Sequence, residues 1–221
     1  MDHVAGQVIA ALKRNGLEKN TLVIFTSDNG SPQRDGTNMS GAVGSVRRFG
    51  HDPSRPWRGI KADVWDGGHR VPFIAYWPGK ISAGSVNDEP ICHTDLLATA
   101  AAIVNEKLPA DAGEDSCNIL PALFGEKYQR PLREAIVHHS INGLFAIRQG
   151  RWKLITGLGS GGWTKPNRPK PQPDGPQGQL YDMDADPKET DNLWLQRPDI
   201  VSRLTGLLND YKTKGRSAGL L

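Results

Sequence analysis

Apolar residues in the first part of the chain follow a helical period and then form a short continuous run. The helical spacing predicts a helix that ends at Asn15-Gly16, with an apolar face made of Val4, Val8, Ile9, Ala11 and Leu12. The run "TLVIFTS" (21–27) is short and rich in β-branched residues, which predicts a buried, central strand with parallel neighbours. A helix, a tight link and a buried strand together indicate an α/β fold.

Residues 30–59 predict a loop, because they hold six Gly and three Pro and few periodic apolar positions. A loop of this length inside a compact domain is usually functional or mobile. After it, "VPFIAYWP" (71–78) predicts a strand. The segment "HTDLLATAAAIVNE" (93–106) predicts a helix with Thr94 as its N-cap.

The pattern changes near residues 125–131. Three short runs, "EAIVHHS", "GLFAIRQG" and "RWKLITG", predict strands joined in antiparallel hairpins, and "QLYDM" follows them. Residues 157–178 are rich in Gly and Pro and predict a mobile loop over this sheet, whereas residues 198–214 predict a final amphipathic helix. The predicted division is therefore an α/β segment (1–128) followed by a small antiparallel sheet with a C-terminal helix (129–221).

Composition excludes several classes of function without choosing one. The 221 residues carry a net charge of only +3 and no basic block, so no nucleic-acid partner is expected. No apolar run approaches the roughly 20 residues that a membrane helix needs, so no membrane partner is expected either. The first residues lack the pattern of a signal peptide. Cys92 and Cys117 have no metal-ligand spacing and are either unpaired core thiols or one disulfide.

The first candidate site is the sequence "FTSDNG", which ends the first predicted strand. Asp28 and Asn29 place a carboxylate and an amide oxygen where open α/β sheets bind ligands, and Gly30 allows the pleat to break. Such oxygen atoms suit a hard cation such as Ca²⁺ or Mg²⁺. An ordinary Asx turn explains the same residues.

The second candidate site is "RPWRGIKADVWDGGHRVPF" (55–73). Here Lys61, Arg58, His69 and Arg70 stand among glycines that permit close backbone approach, so the segment either binds an anionic oxygen group or forms a basic surface loop.

Isolated histidines and aspartates complete the candidates. The histidines are His51, His93, His138 and His139, and only one of the last two can face inward on a strand. Asp182, Asp184 and Asp186 lack the Gly and the closing Glu of a calcium loop, which favours a turn before Pro187. We find no convincing Ser-His-Asp order or other nucleophile motif.

Taken together, five ordered segments resemble the sulfatase family of the alkaline-phosphatase superfamily, in particular bacterial arylsulfatases and the N-acetylgalactosamine-6-sulfatase-like branch. The segments are "GLEKNTLVIFTSDNG" (16–30), "RGIKADVWDGGHRVPFIAYWPGKI" (58–81), "HTDLLATAAAI" (93–103), "FAIRQGRWKLI" (145–155) and "QLYDMDADPKETDNL" (179–193). The resemblance implies the C-terminal part of an alkaline-phosphatase-like sandwich, with a mixed central sheet and flanking helices, followed by a small antiparallel sheet with a C-terminal helix.

The resemblance also implies roles for individual residues. Asp28 and Asn29 match the family's paired calcium ligands, and Asn29 also lies near the sulfate ester. Lys61 matches the lysine that contacts the sulfate group and stabilises charge in the transition state. Residues 67–70 match the turn that supports this lysine, and Asp66 stands where the family usually has Glu. His51 and His138 are substrate-binding candidates that take no role from the family.

The family's nucleophile is missing from this sequence. Sulfatases use a formylglycine made from Cys or Ser in a C/S-x-P-S-R motif, and neither Cys92 nor Cys117 fits it. The "HDPSR" at 51–55 has His in the nucleophile position and follows the Asp-Asn pair, so it is a chance match. The family's first two aspartate ligands also have no counterpart. We therefore expect a C-terminal portion with an incomplete Ca²⁺ site, inactive alone, whose formylglycine lies on a missing N-terminal half.

The expected partners are that N-terminal half and a sulfated small molecule or sulfated glycan. The resemblance implies a periplasmic, secreted or lysosomal location. Two other functions stay open: a phosphodiesterase or phosphatase of the same superfamily, and a non-catalytic module that binds sulfated glycans through Trp57, Trp65 and Trp163. Packing of these tryptophans in a core is the simpler explanation of their presence.

Overall fold

The computed structural model describes residues 1–32 and 50–219, which fall into two compact units. The first unit comprises Met1–Ser27, Pro72–Glu134 and Arg216–Leu221, and the second comprises Asp28–Val71 and Ala135–Gly215. The units therefore interleave along the chain, and the division at residue 128 stays a prediction. Most of the predicted loop at 30–59 lies outside the described residues.

The first unit holds three helices and a two-stranded sheet. Its elements are α1 (Asp2–Arg14), β1 (Val23–Thr26), β2 (Phe73–Tyr76), α2 (Asp95–Ile103) and α3 (Leu120–Phe124). Helix α1 ends as predicted at Asn15, whose side-chain amide donates to the carbonyl of Ala11 at 2.8 Å. Thr94 occupies the predicted N-cap position of α2, but its hydroxyl donates to the carbonyl of Asp115 rather than to the helix.

The prediction of a buried strand with parallel neighbours at 21–27 was wrong for the described part of the chain. Strand β1 pairs with β2 in antiparallel register, from Val23 opposite Tyr76 to Thr26 opposite Phe73, and all four of its residues are half-buried. The reason is that an apolar run of this length identifies a strand but not the direction of its neighbour. Among the described residues, this sheet has only these two strands.

The second unit is a four-stranded antiparallel sheet with a helix and a 3-10 turn. Its elements are the turn Asp66–Gly68, β3 (Ile136–His139), β4 (Phe145–Gln149), β5 (Trp152–Ile155), β6 (Gln179–Asp182) and α4 (Pro198–Lys214). The strands lie in sequence order, so each pairs with its neighbour along the chain. The predicted hairpins and the final helix are confirmed.

Alternation of side chains gives this sheet two covered faces. On one face, Ile147, Leu154 and Leu180 pack against the apolar side of α4, which contributes Ile200, Leu204, Leu208 and Tyr211. On the other face, Ala146, Ile155 and Tyr181 pack against the buried pair Val64-Trp65. Residues 64–65 are therefore packed directly against the sheet. In the part of the chain that the structure describes, no helix is long and apolar enough to cross a membrane.

Candidate functional site

The two sequence-predicted segments meet at their backbones. The amide of Gly30 donates to the carbonyl of Gly68 at 3.0 Å, and the amide of Lys61 donates to the carbonyl of Ser31 at 2.7 Å. A Cβ at position 30 would lie 1.9 Å from the carbonyl oxygen of Gly67, so only glycine permits this approach. The Asp28-Asn29 turn, the Lys61 segment and the double-glycine turn therefore form one local structure.

Within this structure the Asp-Asn pair forms a turn at the surface. Asp28 is exposed and Asn29 is half-buried, and the side-chain amide of Asn29 donates to the carbonyl of Gly30 at 3.1 Å. A turn and a cation site are compatible, because carboxylate and amide oxygens are the donors that Ca²⁺ takes. Two such side chains fit calcium in type but fall short of its usual six to eight oxygens. Within residues 1–32 and 50–219, no three His, Cys, Asp or Glu side chains cluster to hold a metal ion.

Lys61 is followed by a strained residue. Ala62 adopts a left-handed backbone with φ of 79°, which is uncommon for a residue with a Cβ. Its carbonyl accepts a hydrogen bond from the amide of Ile141 at 2.9 Å, and the carboxylate of Asp63 accepts one from the amide of Ile60 at 3.0 Å. Backbone strain of this kind persists only where the surroundings enforce it, and it is enriched at functional sites.

A buried charge cluster lies behind the double-glycine turn. The ammonium of Lys153 on β5 is 2.7 Å from Asp66 Oδ1 and 2.7 Å from Glu189 Oε1, and both Lys153 and Glu189 are fully buried. The other carboxylate oxygen of Glu189 accepts the amide of Asp66 at 2.7 Å. Arg70 and Arg148 approach Asp66 from the rim, at 3.3 and 3.6 Å. This cluster fixes the start of the turn that receives Gly30.

The charges in the cluster set one another's pKa. Burial opposes the charge of Lys153, but the attraction of Asp66 and Glu189 raises its pKa above the usual value. Burial also opposes the charge of Asp66, yet Lys153 and the two arginines hold the pKa of Asp66 well below its usual range. The pKa of Glu189 is raised, because burial and the neighbouring Asp66 outweigh the attraction of Lys153.

Two histidine rings, tilted by 47° to each other, pack beside this cluster. The rings of His69 and His138 lie 4.2 Å apart, and His138 Nε2 donates to the carbonyl of Val64 at 3.0 Å. Burial, together with the positive charge of Lys153, lowers the pKa of His69 from 6.5 to about 4 and that of His138 well below its usual value. Both imidazoles are therefore neutral near pH 7. Because His138 bonds to Val64, its geometry here is structural, and its substrate-binding role stays a prediction.

The remaining sequence candidates are dispersed. His51 is exposed, and the "HDPSR" match containing it forms a turn in which the amide of Ser54 donates to Asp52 at 3.1 Å. His93 contacts the hydroxyl of Thr26 at 3.0 Å, and the exposed His139 donates to the carbonyl of Ser140 at 2.7 Å. No described contact joins His51 to Lys61, so its substrate-binding role also stays a prediction.

The aspartate run forms the predicted turn. Asp182 accepts the guanidinium of Arg151 and the amide of Asp184, and Asp186 accepts the amide and hydroxyl of Thr190. Cys92 and Cys117 are free thiols, which answers the question of a disulfide.

Sequence reasoning missed the cluster of Lys153 and Glu189. One signal was available for Lys153: it stands inside the apolar run "RWKLI", where alternation demands a buried side chain. Glu189 gave no signal, because its position depends on a left-handed backbone with φ of 53°.

The described residues form a mixed fold of helices with a two-stranded and a four-stranded antiparallel sheet, and comparison with known proteins identifies the family. The family model described as Sulfatase matches residues 1–105. An N-acetylgalactosamine-6-O-sulfatase of Bacteroides thetaiotaomicron is 35% identical over 217 residues, covering 97% of this chain and 40% of that protein. A rat steryl-sulfatase is 36% identical over 148 residues, covering 66% of this chain and 24% of that protein.

Comparison with solved structures also matches this chain to sulfatases. A Bacteroides thetaiotaomicron structure described with the metabolism of multiple glycosaminoglycans superposes with a TM-score of 0.76 and 33% identity, over 94% of this chain and 42% of that one. The PsFucS1 sulfatase of Pseudoalteromonas superposes with a TM-score of 0.70 and 28% identity, over 96% and 41%. The chain belongs to the sulfatase family and corresponds to a C-terminal portion of it. It spans about 40% of the length of the bacterial relative.

Proposed function

We propose that this chain is the portion of a sulfuric ester hydrolase that supplies two calcium ligands, Asp28 and Asn29, and a sulfate-contacting lysine, Lys61. The observation that carries the proposal is the backbone link between the two segments, in which Lys61 donates to Ser31 at 2.7 Å and Gly30 donates to Gly68 at 3.0 Å. This link keeps the Asp28-Asn29 pair, which offers oxygen ligands for a cation, and the cationic Lys61 on the same local structure. Membership of the sulfatase family supports the same roles.

In this proposal the residues of the chain act by charge and position. Lys61 stabilises negative charge that develops on the sulfate oxygens during hydrolysis, and its fixed backbone lowers the cost of holding that geometry. Asp28 and Asn29 would hold Ca²⁺, which supplies a further positive charge at the sulfate. The buried Lys153 cluster keeps the double-glycine turn in place behind them. The nucleophile, which the family makes as formylglycine, lies outside this chain.

The proposed substrate is a sulfated sugar or another sulfated small molecule. The bacterial relative is an N-acetylgalactosamine-6-O-sulfatase, which supports a sulfated sugar, whereas the rat relative is a steryl-sulfatase. The family's usual periplasmic, secreted or lysosomal location is proposed for this chain as well. The alternative of a non-catalytic module that binds sulfated glycans through its tryptophans has less support. Trp65 is buried, and the guanidinium of Arg70 covers the ring of Trp57 at 3.9 Å.

Two measurements test the proposal. The purified 221-residue chain should bind Ca²⁺ only weakly by calorimetry and should not turn over nitrophenyl sulfate, because it provides two of at least six ligands and no nucleophile. Turnover by this chain alone would contradict the proposal.

The role of Lys61 is tested in a longer polypeptide that carries this segment and hydrolyses sulfate esters. There Lys61→Ala should lower turnover by roughly two to three orders of magnitude, as expected for a lost transition-state contact. Exposed Lys170→Ala is the matched control, and circular dichroism checks the fold of both variants. Turnover of Lys61→Ala at the level of the control would remove Lys61 from the site.

A further inference from the structure

One tryptophan of the second unit keeps its indole at the surface. Trp163 is 46% exposed, whereas Trp65 is 1% exposed and donates its indole N–H to the side chain of Gln179 at 3.1 Å. Tryptophan rings that combine an apolar face with a polar N–H are enriched in binding sites.

Trp163 stands on a loop that hydrogen bonds fix at several points. The amides of Trp163 and Thr164 both donate to Asp63 Oδ1, at 2.8 and 3.1 Å. The carbonyl of Ser160 accepts the amide of Val64 at 2.8 Å, and the side chain of Asn142 donates to the carbonyl of Gly161 at 2.8 Å. The prediction of a mobile loop was therefore wrong for this part of residues 157–178. A ring on a fixed loop loses little conformational entropy when a ligand binds.

This loop is joined to the segment that carries Lys61. A Cβ at Gly162 would lie 2.3 Å from the carbonyl oxygen of Ala62 and 2.6 Å from Asp63 Oδ1, so the two backbones are in direct contact there. Ala62 and Asp63 immediately follow Lys61, and Trp163 immediately follows Gly162. The exposed indole and the proposed sulfate-contacting lysine are therefore each one residue from the same contact.

We propose that Trp163 is a stacking platform for the sugar ring of a sulfated pyranoside whose sulfate group is held by Lys61. The inference rests on the role proposed above for Lys61 and adds the class of group that carries the sulfate. A sugar ring has an apolar C–H face that packs on an indole and hydroxyl groups that need polar neighbours. The residues that follow Trp163 in the sequence include the polar Thr164, Lys165, Asn167 and Arg168, which suits a sugar better than a sterol.

The test measures weak binding to the purified 221-residue chain by ligand-observed nuclear magnetic resonance. The probes are a 6-sulfated N-acetylhexosamine, the same sugar without sulfate, inorganic sulfate and an aryl sulfate. Trp163→Ala should weaken binding of the sulfated sugar about five- to tenfold and change that of inorganic sulfate less than about twofold. Trp163→Phe should recover most of the affinity. Lys61→Ala should weaken both sulfated sugar and inorganic sulfate.

The control is Leu195→Ala, which removes another exposed apolar side chain, 59% exposed, and should leave all affinities unchanged. The platform is overturned if the wild-type chain does not bind the sulfated sugar, if Trp163→Ala leaves its affinity unchanged, or if the variant weakens the aryl sulfate as much as the sugar. If Lys61→Ala leaves the affinity for inorganic sulfate unchanged, the proposed role of Lys61 itself is contradicted. If Lys61→Ala weakens sulfate binding but Trp163→Ala leaves the affinity for the sulfated sugar unchanged, only the stacking role of Trp163 is overturned.

Discussion

The two units bury their apolar residues very differently. In the second unit, both faces of the four-stranded sheet are covered, one by α4 and the other by residues 64–65. In the first unit, strand β1 is only half-buried and no residue of α1 is buried by the described chain. Of the twelve large apolar side chains that stand out as exposed among the described residues, nine belong to the first unit. The second unit thus buries its apolar residues within itself, whereas the described part of the first unit leaves many of its apolar residues exposed.

Both units nevertheless contain buried charge. In the first, Asp95 pairs with Arg133 and also accepts the amides of Cys92 and Cys117 at 2.8 and 2.9 Å. In the second, one lysine serves two carboxylates, those of Asp66 and Glu189. In the described contacts, Asp95 would keep two backbone amide donors after losing its cation, whereas Glu189 would keep one, the amide of Asp66, so we expect Glu189 to tolerate the loss less well. The comparison predicts that the second unit is the more sensitive to a single charge deletion.

The largest expected effect is that of Lys153→Met. Removing the ammonium at nearly constant volume takes away the cation that contacts buried Glu189 and leaves it beside the carboxylate of Asp66, which should lower the free energy of unfolding by about 3–5 kcal/mol. Urea denaturation followed by tryptophan fluorescence measures the change. Exposed Lys170→Met is the matched control and should change stability by less than about 0.5 kcal/mol. A loss of under about 1 kcal/mol for Lys153→Met would show that the cluster is not the main support of the second unit.

The next effect is a pH dependence that the second unit should show and α1 should not. Burial and Lys153 lower the pKa of His69 from 6.5 to about 4, so the unfolded chain binds more protons between those values. The free energy of unfolding should therefore fall as the pH drops from 6.5 to 4, by on the order of 3 kcal/mol from His69 alone. Denaturation curves across this range measure the slope. His69→Gln should remove the part of the slope that comes from His69 and leave the part that comes from His138, whose pKa burial also lowers. Exposed His3→Gln in α1 should leave the slope unchanged, and equal slopes in both variants would contradict the assignment.

The same contrast explains what the sequence could predict. Elements of the second unit have strong local signals, such as the closely spaced strands from 135 to 155 and the amphipathic residues 198–214, and the structure has them there. The direction of β1 depends on a distant partner, β2, and no local pattern encodes it. The proposed roles of Asp28, Asn29 and Lys61 rest on the family resemblance, whereas the backbone contact between their segments is seen only in the fold.

The cluster around Lys153 illustrates the limit most directly. Its members are separated by 87 and 36 positions in the chain, from Asp66 to Lys153 and from Lys153 to Glu189. A lysine in an apolar strand signals that a buried anion is needed, but it does not say which of the 24 acidic residues supplies it. That choice is made by the folded chain, which brings Glu189 within 2.7 Å of the Lys153 ammonium.

A smaller effect tests the close approach at the candidate site. Gly30→Ala adds a methyl group that would lie 1.9 Å from the carbonyl oxygen of Gly67, so the turn at 28–31 must shift. Overpacking of this kind costs about 1–3 kcal/mol. Gly206→Ala is the matched control, because position 206 lies inside α4 with open space around it and the substitution should stabilise the helix by about 0.5–1 kcal/mol. If both variants were equally stable, the contact between residues 30 and 67 would not form in solution.

The smallest effect decides how far the first unit differs from the second. Val8 in α1 is 47% exposed, so Val8→Ala should change the free energy of unfolding by less than about 0.5 kcal/mol. The counterpart in α4 is Leu204, which is fully buried against the sheet and whose truncation to Ala should cost about 2–5 kcal/mol. Urea denaturation of the two variants side by side measures the ratio. A loss above about 1.5 kcal/mol for Val8→Ala would mean that α1 buries its apolar face in solution. The difference in apolar burial between the two units would then hold only for the residues that the structure describes.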